Sequence, residues 1–245
     1  PFKIPSIDSL SLPHKLKEIA VLPRGLFLVT GPANCGKSHT LAAIVNEINK
    51  STSRHIITIE DPIEFVHRPR RCIFTQREIG TMTNNYQTAL IHALREDPDV
   101  ILVGEMRDLS TIEMVLTAAE TGHFVLSTLH TVGAVETIDR IVNVFPGHRH
   151  EEIRSQLSLS LVGLISQILL PGRDRNDRIM AYELMIMNSA MRNLVRERKT
   201  NQLKSALMLA RKEGCVTLKD SLTELIRDER VDAKLVSTLL KEIVE

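Results

Sequence analysis

From Gly25 to about Leu170 the chain alternates short apolar runs with amphipathic stretches. The runs are Leu26–Thr30, His55–Glu60, Val100–Gly104, His123–Leu129 and Ile165–Leu170, rich in the aliphatic and β-branched residues that strands favour. Between them, apolar positions recur at helical spacing near 38–49, 84–95, 109–120, 134–144 and 149–163. Strands that are apolar at nearly every position, each followed by a helix, predict an α/β fold with a mainly parallel sheet covered on both faces. The hydrophilic stretch Pro171-Gly172-Arg173-Asp174-Arg175-Asn176-Asp177 predicts a turn into an edge strand over Ile179–Met187. Thereafter the pattern is helical, near 189–197, 202–211, 217–227 and 232–243. Residues 1–24 are punctuated by prolines and carry one short helical piece between Leu16 and Leu22. The division expected is therefore a connector over 1–24, a nucleotide-binding core over 25–187 and a C-terminal helical subdomain over 188–245.

Composition narrows the function classes. Lys and Arg total 31 against 30 Asp and Glu, so no global charge excess points to nucleic acid or to a membrane surface. Aromatic residues make up 3% of the chain, too few for the stacking platforms that hold single strands. Cys35, Cys72 and Cys215 form no CxxC pair, which fits reduced thiols in the cytosol and gives a zinc site no support. No apolar run approaches the ~18 residues of a membrane span.

The chemistry starts at Gly31-Pro32-Ala33-Asn34-Cys35-Gly36-Lys37-Ser38, which follows the first apolar run and opens a helical pattern at His39. Strand, G-x-x-x-x-G-K-[ST] loop and helix, in that order, are the pattern of a phosphate-binding P-loop. Successive backbone N–H groups and the positive end of the helix converge on an anion. Lys37 would reach the β- and γ-phosphates of ATP, and the Ser38 hydroxyl would ligate Mg²⁺. Asn34 and Cys35 are unusual in mid-loop, but Asn tolerates positive φ. A thiol at position 35 predicts sensitivity to thiol reagents.

Asp99-Val100-Ile101-Leu102-Val103-Gly104-Glu105 is an apolar strand ending in an acid. Alone, it reads equally as a surface carboxylate; beside a P-loop it reads as the acid that holds Mg²⁺ directly or through water. Ile56-Ile57-Thr58-Ile59-Glu60 is a second such strand, expected next to the P-loop strand, and makes Glu60 the first candidate for the base that deprotonates water. Glu64 reads as structural, a cap or the partner of a base. The third strand ends in Thr128, His130 and Thr131, where a polar group can sense the γ-phosphate. His123, at that strand's start, fits a structural role. The cluster His67-Arg68-Pro69-Arg70-Arg71 is short and Pro-broken, and reads as a solvated hairpin rim or a subunit contact rather than a nucleic-acid patch.

Taken together, the chain resembles the secretion-ATPase superfamily, and within it the retraction branch of the type IV pilus motors. The resemblance rests on several long motifs in one order. They are the P-loop, His55 to His67, Leu94-Arg95-Glu96-Asp97-Pro98-Asp99, Gly104-Glu105-Met106-Arg107-Asp108, Thr121-Gly122-His123 to Thr128-Leu129-His130-Thr131, and Ala190-Met191-Arg192-Asn193-Leu194-Val195-Arg196-Glu197. It implies a RecA-like P-loop NTPase core in a homohexameric ring with ATP and Mg²⁺ at subunit boundaries. The location implied is cytoplasmic, docked on the inner-membrane platform of the pilus machine, with a paralogous pilus ATPase as a further partner. The site it implies comprises Gly31, Pro32, Ala33, Asn34, Cys35, Gly36, Lys37, Ser38 and His39 around the nucleotide. Ser38 and Glu105 serve the metal, and Glu60, Glu105, His130 and Lys37 the chemistry. The lack of a tetracysteine zinc element favours the retraction branch. The family's N-terminal PAS-like domain lies outside this sequence and helps complete the site, which implies a chain that binds ATP well and hydrolyses it poorly. The alternatives are a low-turnover nucleotide-dependent accessory module and a nucleic-acid translocase, the latter disfavoured by the charge balance.

Overall fold

The computed structural model describes residues 4–173, 177–234 and 236–238. Among these residues, seven strands form one sheet in the order β3-β2-β4-β5-β1-β6-β7. They are β1 (Gly25–Thr30), β2 (His55–Glu60), β3 (Ile73–Glu78), β4 (Val100–Val103), β5 (Phe124–Leu129), β6 (Leu161–Pro171) and β7 (Arg178–Ile186). Every pairing is parallel except β6 with β7. The mainly parallel α/β architecture expected from the pattern is what the chain adopts.

Alternation along the strands explains why they read as continuously apolar. In β1, Leu26 and Leu28 enter a core on one face, while Phe27 and Val29 enter a second core on the other. The first face is covered by α3 (Tyr86–Ala93), α4 (Leu109–Glu120), α5 (Ala134–Asn143) and α6 (His150–Ser160). The second is covered by α1 (Lys15–Ala20) and α2 (Lys37–Ser51), with Ile7, Leu16 and Ile19 of the N-terminal segment fully or nearly buried there. After β7, α7 (Ser189–Arg196) and α8 (Leu203–Leu209) bury Met191, Val195, Leu203 and Leu207 in the first core. Further along, α9 (Leu218–Arg227) packs Leu222 and Leu225 onto Ile168, Leu170 and Ala181 of the β6–β7 pair.

Two boundaries differ from the sequence pattern. β3 is absent from the apolar runs of the sequence and forms the edge strand; Ile73 is exposed and the other positions half-buried, so the strand lacks the apolar run that marks its neighbours. β6 begins at Leu161, directly after α6 ends at Ser160, without a Gly or Pro to mark the change. The helix expected over 232–243 falls largely outside the described residues, as do Asp174, Arg175 and Asn176 of the expected turn.

Gly163 lies where β6 meets β7, and a Cβ there would stand 2.6 Å from the Met185 carbonyl oxygen and 3.4 Å from the Phe27 ring. Backbone cannot yield as a flexible side-chain tip does. Gly163→Ala should therefore destabilise the fold by about 1–3 kcal/mol, read as a lower urea midpoint with an unchanged slope.

Candidate functional site

The carboxyl ends of β1, β2, β4 and β5 converge on one cleft of about 1080 Å³, lined by Lys37, Ser38, Glu60, Glu64, Glu105 and His130 among others. Ligands of open α/β sheets bind at this edge. The loop from Gly31 to Gly36 joins β1 to α2 and needs unusual backbone at three points: Gly31 (φ 139°), Asn34 (φ 60°) and Gly36 (φ 89°). Gly31 has a second reason to be glycine, since a Cβ there would lie 2.1 Å from the Gln167 carbonyl oxygen. Beneath the loop the fully buried Gln167 of β6 donates from Nε2 to the Cys35 carbonyl (2.8 Å) and accepts from Thr40 Oγ1 (2.9 Å). A buried polar side chain with both ends bonded is a rigid strut. Nothing in its local sequence marks it out.

Lys37 Nζ donates to the carbonyls of Gly31 (2.9 Å) and Pro32 (2.8 Å) and lies 3.3 Å from His130 Nδ1. On the other side of that ring, Nε2 lies 2.8 Å from Glu105 Oε1, and Glu105 Oε2 accepts from Arg107 Nε at 2.7 Å. An ammonium only donates, so Nδ1 is the acceptor and Nε2 carries the proton toward Glu105. Burial lowers the Lys37 pKa, with Glu105 acting against the shift. Three residues singled out in sequence are thus one connected group.

Ser38 Oγ donates to Glu64 Oε1 at 2.5 Å. Glu64, read from sequence as structural, therefore stands in the site. Glu60 does not sit next to the P-loop strand as expected, because β4 and β5 lie between β2 and β1. It lines the same cleft nevertheless, at the end of its strand. Its Oε1 accepts from Thr58 Oγ1 (2.7 Å) and from Gln76 Nε2 (3.3 Å). Burial raises its pKa above the usual carboxylate range, and the charge of Glu64 adds to the rise. Tyr86, also lining the cleft, is pushed up to about 12 by burial and by Asp61.

The remaining loop residues Pro32, Ala33 and Asn34 are exposed, and His39 packs edge-on against Phe65 with ring centroids 5.0 Å apart. Cys35 is 3% exposed, and burial raises its thiol pKa. A buried, protonated thiol is inert, so the expected reagent sensitivity is corrected. His123 Nδ1 lies 3.0 Å from the Ala118 carbonyl at the end of α4, a structural contact. In the basic cluster, Arg68, Arg70 and Arg71 are exposed, but His67 is not. It is 7% exposed, stacks parallel on Phe74, and leaves Nδ1 without a partner.

Comparison with known proteins gives consistent matches. Residues 9–237 match the family model described as Type II/IV secretion system protein. The twitching motility protein of Neisseria gonorrhoeae is 52% identical over 227 residues, 93% of this chain and 61% of that protein. The type IV pilus retraction ATPase PilT of Pseudomonas aeruginosa is 49% identical over 226 residues, 92% of this chain and 65% of that protein. The chain thus spans less than two thirds of the length of these curated relatives. Among solved structures, the pilus retraction motor PilT with bound ADP superposes with a TM-score of 0.90 at 47% identity, covering 96% of this chain and 66% of that one. The ATPase DotB of Legionella pneumophila superposes with a TM-score of 0.89 at 28% identity, covering 99% and 67%.

His67 generates a pH prediction. Burial pulls its imidazole from 6.5 down to about 4, so the unfolded chain takes up the proton first. The stability this provides is complete above about pH 6.5 and is lost as pH falls toward about 4, amounting to on the order of 3 kcal/mol. His67→Phe, which keeps a ring on Phe74, should flatten the fall in urea midpoint across that window.

Proposed function

The chain belongs to the Type II/IV secretion system protein family, and from that membership and the site geometry we propose that it is the ATP-hydrolysing part of a type IV pilus retraction motor. The observation that supports this most is the convergence of Lys37, Ser38, Glu105 and His130 with the half-buried carboxylate Glu60 in one cleft. ADP bound to the PilT structure supports the nucleotide assignment, and the named activity of the Pseudomonas relative supports the retraction assignment.

In this reading the backbone N–H groups of residues 33 to 38 cradle the β-phosphate, with the helix dipole of α2 behind them. Lys37 exchanges its contacts to the Gly31 and Pro32 carbonyls for phosphate oxygens. Glu60 accepts a proton from water as that water attacks the γ-phosphorus, and the bond from the γ-phosphorus to the β–γ bridging oxygen breaks to release ADP. Mg²⁺ fits the oxygen donors present: Ser38 and Glu105 would hold it, Glu105 directly or through water, and Glu64 stands ready beside Ser38. No three His, Cys, Asp or Glu side chains form a protein-only cage among the described residues, and Mg²⁺ needs none, since it keeps waters and takes phosphate oxygens. When bound, Mg²⁺ supplies charge neutralisation at the β- and γ-phosphates.

The setting proposed is a cytoplasmic homohexameric ring on the inner-membrane platform of the pilus machine, with a paralogous pilus ATPase as a further partner. Among the described residues no helix is long and apolar enough to cross a membrane. Charge balance gives no support to a nucleic-acid substrate.

The test is the steady-state Mg-ATPase rate of the full-length protein against its concentration, beside its Glu60→Gln variant. Specific activity should rise with concentration, and the variant should lose about 10²–10⁴-fold. Because the base acts only when ionised and burial raises its pKa, the rate should climb with pH through a limb lying above the ordinary carboxylate range. An unchanged rate in Glu60→Gln would overturn the assignment of the base.

A further inference from the structure

Gln76 enters no motif singled out in the sequence, yet it touches more of the site's support than any other side chain on β3. It faces Thr58 across the β2–β3 pairing, and Glu60 faces Glu78 two residues on, so all four share one face of the sheet edge. Its amide makes three hydrogen bonds. Oε1 accepts from the His67 backbone N–H at 2.8 Å, while Nε2 donates to the Phe65 carbonyl at 3.0 Å and to Glu60 Oε1 at 3.3 Å. The His67 N–H can only donate and the Phe65 carbonyl can only accept, so the amide has one orientation and its NH₂ faces the carboxylate. Two residues further along β3, Glu78 Oε2 accepts from the Ile63 backbone N–H at 2.9 Å. The loop from Asp61 to His67, which carries Glu64 to Ser38, thus hangs from β3 at Ile63, Phe65 and His67.

We propose that Gln76 is a positioning residue for Glu60, fixing which carboxylate oxygen faces the cleft and coupling the base to the loop that brings Glu64 to Ser38. Both side-chain donors to this carboxylate, Thr58 and Gln76, take Oε1. The Glu64 backbone N–H also supports the ionised carboxylate, and Oε2, which takes neither side-chain donor, is the oxygen assigned to receive the proton from water. A carboxylate held by one oxygen cannot swing freely, and holding reacting groups in line is a large part of catalysis. The same donors stabilise the ionised form against the burial that disfavours it, keeping the base usable. The inference rests on Glu60 being the base, as proposed above.

The experiment compares full-length wild type, Glu60→Gln, Gln76→Leu and Gln76→Met for kcat against pH and for ADP affinity by fluorescent-analogue titration. Gln76→Leu and Gln76→Met keep the bulk and remove the donors. Each should bind ADP within about 2-fold of wild type, lower kcat about 10–100-fold, and move the acid limb of the profile upward by about one pH unit. ADP binding certifies a folded site, and the methionine variant serves where the leucine variant fails that check. If kcat falls while the limb stays in place, Gln76 is only structural and the proposal is overturned. It is equally overturned if neither changes while Glu60→Gln is inactive. An active Glu60→Gln instead overturns the base assignment, whatever Gln76 does.

Discussion

One imidazole between two opposite charges ties this site together. His130, at the end of β5, is held between the P-loop lysine that follows β1 and the acid that follows β4. The three strands are neighbours in the order β4-β5-β1, so the link runs across three adjacent strand ends. Because Lys37 can only donate and Glu105 in its ionised form only accepts, the ring must present one face of each kind. A group so placed responds to anything that draws Lys37 away, and a phosphate in the loop is what draws a P-loop lysine. In the proposed motor, this is how loss of the γ-phosphate would be felt at β4 and β5.

The rest of the structure keeps that contact in register. Gln167 braces the loop from below, and the close approach at Gly31 leaves no space for any other residue. Two separate apolar cores, one on each face of the sheet, fix the strand ends from which Glu60, Glu105 and His130 project. At the edge strand, where Ile73 is exposed and the other positions are half-buried, polar contacts from β3 hang the Glu64 loop in place. Packing holds the centre of the site; hydrogen bonds hold its rim.

Much of this was legible in the sequence, and the reasons differ by residue. The P-loop announces itself because its chemistry is local: eight adjacent residues and a helix start. Glu105 and His130 stand out in the sequence because each directly follows a buried parallel strand, and such strands make their ends easy to see. The family resemblance added the rest of the order, and membership of the Type II/IV secretion system protein family agrees with it. Strand order was not legible, since periodicity says nothing of neighbours, and Glu60 was consequently expected beside β1. β3 escaped because edge strands carry little apolar signal. Gln167 escaped because its partners lie 127 and 132 residues away. The burial of Cys35 is hidden from the sequence for a related reason: exposure inside a loop depends on what lies beneath it, here Gln167.

The measurement that bears most directly on the central contact is the imidazole ¹⁵N spectrum of the histidines, with and without a Mg²⁺-bound non-hydrolysable ATP analogue. Without nucleotide, His130 should show a protonated Nε2 and an unprotonated Nδ1. Adding the analogue should shift the Nδ1 resonance as Lys37 turns to phosphate, while His55, His92 and His123, which do not line the cleft, keep theirs. A proton on Nδ1 in the nucleotide-free protein, or a His130 signal indifferent to the analogue, would contradict the account.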